Sequence, residues 1–332
     1  MNFSIGYNPT LDFSIPDAYR RYFNDPRIGE VYFACIGTIS GHDMTQTCNS
    51  HSDSELKEHL VHNLRHFREG GTELSLLLNA SCYGVMEATV DQENYVDSIL
   101  KDLDSYGLFP EVLTVCSPFI ARYVKRKYPE IEVRMSVLNC ISSISAMQLT
   151  VDAFDSYYIN QDLNRDMTFV RIAKKWCNDN GKKLCMVVNS GCIGSCPYKM
   201  NHGNHSSHCY ERERFNGYLP CTKIWDNVIK DRVLAVLQGN WIRPEDLHYY
   251  EGLCDVAKLD TRLNFNLQTK VDAYLNCRYD GNLIDVISAT NPFYPLIDNR
   301  RFPSDYFEKM TRCCHKHCDQ CKYCLEIRNN II

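Results

Sequence analysis

Short apolar, β-branched runs alternate with amphipathic stretches along nearly the whole chain. The runs predict strands at Asn2–Tyr7, Val31–Cys35, Glu73–Leu78, Val112–Cys116, Glu132–Leu138, Tyr157–Ile159, Leu184–Val188 and Val256–Leu259. Between most of them, apolar positions recur at helical spacing. Leu56, Leu60, Leu64 and Phe67 predict a helix over Ser54–Phe67, and Ser52 with Glu55 offers a capping box at its start. Tyr95, Ile99 and Leu103 predict a second helix; Ile172 and Trp176 predict a third, opening after Asp166. Strands joined by helical crossovers pair in parallel. About eight such units is the count of a TIM-like (β/α)8 barrel. The expected α/β fold is therefore such a barrel over residues 1–300, followed by a C-terminal cysteine-rich segment over 301–332.

In this architecture the C-terminal ends of the strands carry the chemistry. Four predicted strands run out into Asn79, Asn139, Asn160 and Asn189, with Cys35, Cys82, Cys116 and Cys140 in similar places. Amide side chains both donate and accept, which suits an uncharged or oxygen-rich substrate. Asparagine also ends strands because it tolerates turn conformations. Arg262, just beyond the last strand, is a candidate anion anchor; an arginine there also serves as a surface ion-pair partner.

The formal charge of -5 argues against a general nucleic-acid binder, which would carry a basic surface. The first twenty residues show no basic start leading into a long apolar run. No apolar stretch approaches the roughly 20 residues that span a bilayer. The expectation is a cytoplasmic protein without membrane association, where thiols stay reduced.

Eighteen cysteines then change the picture, because half of them are crowded into two groups. Under reducing conditions crowded cysteines are metal ligands more often than disulfides. The first group, Cys192, Cys196, Cys209 and Cys221, lies in a loop over 189–222 after the seventh predicted strand. Four thiolates suit a tetrahedral zinc or a 4Fe–4S cube. Zinc sites favour paired knuckles, and one such pair is present, so the unequal spacing favours the cube. His202, His205 and His208 keep a mixed Cys/His zinc site as the alternative.

The second group is Cys314, Cys318, Cys321 and Cys324, with Cys313 as a spare. Four thiolates within eleven residues suit a second 4Fe–4S cluster, with a zinc staple as the alternative. Its CxxxCxxC subset has the spacing of radical S-adenosylmethionine enzymes. Those place it after the first strand and leave one iron open, so an auxiliary or electron-transfer cluster fits better.

Three stretches resemble the collagenase-like peptidase family: NSGCIGSCPY with Cys209 and Cys221, RPEDLHYYEGLCDVAKLDTR (Arg243–Arg262), and EVYFACIG (Glu30–Gly37). The resemblance covers residues 1–265. It implies an iron–sulfur TIM barrel with Cys192, Cys196, Cys209 and Cys221 as cluster ligands. It also implies likeness to the oxygen-independent hydroxylases of ubiquinone synthesis and to prephenate-dependent RNA hydroxylases. The C-terminal cysteine run departs from single-cluster members, and a large RNA-binding region is lacking. A small-molecule or peptide substrate is therefore expected.

The leading expectation is an iron–sulfur redox enzyme performing oxygen-independent hydroxylation or a related modification. One alternative is a metal-dependent or cysteine peptidase, for which neither HExxH nor GxSxG is present. Another is an iron–sulfur electron carrier or scaffold serving a partner protein or electron donor.

Overall fold

A computed structural model describes residues 1–9, 17–41, 52–208, 220–261, 266–287, 295–313 and 317–332, without the side chains of 220–223 and 313. Among these, eight parallel strands close on one another in chain order. They are β1 (Asn2–Gly6), β2 (Ile28–Phe33), β3 (Glu73–Leu78), β4 (Val112–Val115), β5 (Glu132–Met135), β6 (Ser156–Tyr158), β7 (Lys183–Val187) and β8 (Val256–Leu259). Closure comes from β1, which pairs with β2 on one side and with β8 on the other. The expected TIM-like barrel is what forms.

The described helices are α1 (Asp53–Glu69), α2 (Val90–Ser105), α3 (Pro118–Lys127), α4 (Ile144–Gln148), α5 (Met167–Asp179), α6 (Lys199–Ser207), α7 (Pro220–Asn227), α8 (Arg232–Leu237), α9 (Leu267–Leu275), α10 (Tyr306–Cys313) and α11 (Tyr323–Arg328). The capping box forms as expected: Ser52 accepts from the Glu55 N–H, and Glu55 accepts from the Ser52 N–H. Leu56, Leu60, Leu64 and Phe67 are the buried stripe of α1. The third predicted helix exists as α5, opened by the Asp166 side chain. Its buried face differs from expectation. Met167, Val170, Ala173 and Cys177 face the core, whereas Ile172 is 51% exposed.

Two strand boundaries also shift. The second strand begins at Ile28, three residues before the apolar run suggested, and the fifth ends at Met135. There Ser136 accepts from the Leu138 N–H and bends the chain into a 3-10 turn over Val137–Asn139. An apolar run such as Val-Leu cannot announce that hydroxyl-driven turn.

The larger apolar core lies between the barrel wall and the helices, and residues 301–332 join it through Tyr306, Phe307, Met310, Ile327 and Ile331. The barrel lumen is more polar. Its side chains include Ser4, Glu30, Arg134 and Ser156, alongside Tyr32, Tyr158 and Cys185. Arg134 reaches Glu30 at 2.6 Å and Glu132 at 2.7 Å and donates Nε to the Ser156 hydroxyl at 3.0 Å. Lys258 sits 3.7 Å from the centre of the Tyr32 ring. No described helix is long and apolar enough to cross a membrane.

Candidate functional site at the C-terminal rim

The four rim asparagines are engaged by protein. Asn189 is fully buried; its Oδ1 accepts from the Asp260 N–H at 2.6 Å, and its Nδ2 reaches the Asp260 and Val286 carbonyls at 3.3 Å each. It ties the exits of β7 and β8 together. Asn79 accepts from the Gly41 N–H at 3.0 Å. Asn160 accepts from the Asp162 N–H at 3.2 Å and from the Lys199 ammonium at 2.9 Å. Asn139 donates to the Cys116 carbonyl at 2.9 Å, while its Oδ1 is buried without a protein partner. The recurrence of asparagine at strand exits thus largely reflects turn-making. Arg262 lies outside the described residues.

The loop after β7 is held from several sides. The Cys192 N–H approaches the Ser190 hydroxyl at 3.4 Å, and that hydroxyl in turn donates to Gln161 at 3.1 Å. Ser195 adopts a left-handed φ of 53° and gives its N–H to Asp162 at 3.0 Å. At Gly194 an added Cβ would lie 2.6 Å from the Gln238 carbonyl oxygen, so the loop can approach the C-terminal end of α8 only without a side chain. Cys192 is exposed and Cys196 half-buried. Surrounding protein nevertheless pushes the Cys192 thiol pKa up, against the Ser190 hydrogen bond and the Lys199 charge.

Cys209, Cys314 and the side chain of Cys221 lie outside the described residues; the backbone of Cys221 is in the first turn of α7. Of the second group, Cys318 is exposed, and Cys321 and Cys324 are half-buried. Cys324 packs against the main core. Among the described residues no group of three or more His, Cys, Asp or Glu side chains is placed to hold a metal.

The loop's continuation, α6, lies across the exits of β3, β4 and β5. Its Ser207 hydroxyl accepts from the Ser81 N–H at 2.9 Å, and its Asn204 accepts from the Ser81 hydroxyl at 2.9 Å. Gly203 makes that approach possible, since a Cβ there would stand 2.9 Å from the Ser81 hydroxyl. Between α6 and the rim is a cleft of about 340 Å³, lined among others by Glu87, Ser117, Asn139, Cys140, Lys199 and Met200. Glu87 is exposed and accepts from the Ser117 hydroxyl at 2.5 Å; Gln92 Nε2 stands 3.4 Å from its second oxygen. Cys140 is held at a left-handed φ of 50°. Neighbouring Cys116 is buried, which raises its pKa to about 12 and keeps it a thiol; it donates to the Asn79 carbonyl at 3.1 Å.

Glu87, Ser117 and Lys199 escaped the sequence reading, because they come from three separate connections that only barrel closure brings together. Lys270 escaped it too, although its place on the stripe of α9 with Leu267, Val271 and Tyr274, all buried, was a signal in the chain. Its ammonium reaches the Asp260 carbonyl at 3.3 Å, and burial lowers its pKa to about 8 against the Asp260 charge.

No family model matches the chain. It is 27% identical over 281 residues to an uncharacterized protease of Methanocaldococcus jannaschii, MJ1657, covering 81% of this chain and 80% of that one. The solved structure of the U32 peptidase Mk0906 superposes with a TM-score of 0.54 at 14% identity, covering 78% of this chain and 92% of that one, which is a likeness of fold. The expectation of an iron–sulfur hydroxylase is overturned here: the similar proteins are named as a protease and a peptidase, which favours the peptidase alternative. The likenesses agree with the resemblance to the collagenase-like peptidase family seen in the sequence, the second of them as a likeness of fold.

Proposed function

We propose that the chain is a peptidase that hydrolyses peptide bonds in the cleft between α6 and the exits of β3–β5. The cleft is the observation that carries this reading, because its lining joins an oriented carboxylate and an ammonium in one cavity. A general base needs an accessible acceptor whose orientation is fixed by neighbours. Glu87 meets that need: it is exposed, and Ser117 and Gln92 hold its two oxygens. It would take a proton from the attacking water and return it to the leaving amine. Lys199, held by Asn160, supplies positive charge for the oxyanion that forms as the carbonyl is attacked.

We also propose that Cys192, Cys196, Cys209 and Cys221 hold a metal centre, zinc or 4Fe–4S. The loop fits such a role in that Cys192 and Cys196 are open on one tight, glycine-dependent turn. When bound, the metal would fix the loop from which α6, and with it Lys199, projects. Cys314, Cys318, Cys321 and Cys324 are proposed as a second, zinc or iron–sulfur, set.

Cleavage of quenched fluorescent peptides and of gelatin by anaerobically purified protein tests the reading. Glu87→Gln and Lys199→Met should each lower kcat by at least about 100-fold with circular dichroism unchanged. Cleavage that persists in both variants would remove these assignments. Cleavage absent from the metal-replete native protein across a broad peptide library would remove the peptidase itself.

A further inference from the structure

On the outer surface of α1, far along the chain from either cysteine group, two histidines face each other one turn apart. Their Nε2 atoms are 3.3 Å apart, with ring centres 4.7 Å apart and planes at 89°. Two imidazole nitrogens at about 2.0–2.1 Å from one tetrahedral zinc stand about 3.3–3.4 Å from each other. The spacing of His62 and His66 is thus that of a chelating pair.

The surroundings hold one ring in the orientation a metal needs. His66 Nδ1 lies 3.4 Å from the Glu69 carboxylate, one turn further along the helix. A carboxylate at Nδ1 favours the tautomer with the proton there, which leaves the Nε2 lone pair bare and facing His62. Carboxylate–histidine–metal arrangements use this same logic. The other face of the His66 ring is stacked on Phe23 at 5.2 Å and 24°. Phe23 in turn packs edge-on against Phe67 of the buried stripe, at 4.8 Å and 84°. The ring is therefore anchored by the β1–β2 connection as well as by its own helix. His62 is exposed, so the remaining coordination positions open to water.

We infer that His62 and His66 form a bidentate surface site for a borderline divalent cation such as zinc, nickel or copper, with Glu69 orienting His66. Imidazole pairs select these ions over calcium and magnesium, which prefer oxygen ligands. A cation bound there bridges successive turns of the helix that covers β2 and β3, and so stabilises the native state by mass action. This inference is independent of the peptidase reading and of the cysteine loops.

The test must separate the pair from the cysteines, which bind zinc more tightly than two surface imidazoles. Reduced full-length protein is first loaded with zinc until its tight sites are filled, then titrated further in a calorimeter. The wild type should take up one more equivalent at micromolar zinc. His62→Ala and His66→Ala should each lose that equivalent, and Glu69→Gln should weaken it about tenfold. In parallel, the ring resonances of His62 and His66 should move with the same addition. Both histidines lie on the solvent side of α1, and circular dichroism will confirm that the variants fold. Equal uptake by wild type and both histidine variants, or unmoved ring resonances, would overturn the site.

Discussion

Arg134 and Glu30 meet inside the barrel, guanidinium to carboxylate at 2.6 Å, with their side chains 1% and 3% exposed. They come from β5 and β2, strands that are not neighbours in the sheet, so the pair spans the lumen. Ser4 adds a hydroxyl to the other oxygen of Glu30 at 2.6 Å. Removing one partner of such a pair strands a buried charge, at about 3–5 kcal/mol. Glu30→Gln should therefore lower stability by about 3 kcal/mol, since Arg134 retains Glu132. The double variant Glu30→Leu with Arg134→Met should be less destabilised than the single one, because Glu132 keeps Lys183 at 2.5 Å as a partner and no charge is left wholly unpaired. Urea unfolding read by fluorescence measures both, and a single variant within about 1 kcal/mol of wild type would contradict the argument.

Glu132 extends the network to the entrance of the barrel and gives it a pH dependence. Burial by itself would raise the carboxyl pKa. The Arg134 charge and hydrogen bonds from Lys183, Ser156 and Arg134 outweigh burial and hold it at about 2, against 4.5 for a free glutamate. A depressed carboxylate stabilises the fold fully above the unfolded value. That contribution fades as pH falls from about 4.5 to about 2. Urea midpoints should drop across this window, and Glu132→Gln should flatten the drop. Parallel acid profiles for wild type and variant would disprove the assignment.

Lys270 has the opposite sign. Its folded pKa of about 8 lies below the ordinary 10.5, so protonation opposes folding. The penalty is complete below about pH 8 and is relieved as pH rises towards 10.5. Lys270→Met should therefore be more stable than wild type at pH 7, by on the order of 2–3 kcal/mol. It should also lose the stabilisation that wild type gains in mild alkali. A less stable methionine variant at pH 7 would show that the ammonium contributes more than its hydrogen bond to the Asp260 carbonyl suggests.

Gly203 controls the proposed cleft. Even a methyl group there would press on the Ser81 hydroxyl, and a leucine would lift α6 from the rim. Gly203→Leu should raise KM for peptides at least about tenfold while the thermal midpoint moves by less than about 3 °C, because α6 is short and peripheral. A large fall in the midpoint with unchanged KM would mean that α6 is structural and forms no part of the site.

Much of the barrel could be read from the chain, and the reasons are local. A fully buried parallel strand is a short apolar run, as in Leu74–Leu78, and an amphipathic crossover shows its stripe, as in Leu56, Leu60, Leu64 and Phe67. The failures arose where side-chain hydrogen bonds decide the backbone. Ser136 ends β5 early, and Asn189 spends its amide on Asp260 and Val286 where a substrate contact was expected. The asparagines look alike in sequence, and the distinction lies in what the barrel brings beside them.

The succession of strands and amphipathic crossovers, the buried stripe of α1 and its capping box are properties of the sequence alone, because each depends on residues within a few turns of one another. The cleft of Glu87, Ser117 and Lys199, the lumenal pair of Glu30 and Arg134, and the stacking of Phe23 on His66 belong to tertiary structure. They unite side chains from distant connections, and the distances between them are set only when β1 closes against β8. Periodicity along a chain carries the local information and none of the second kind.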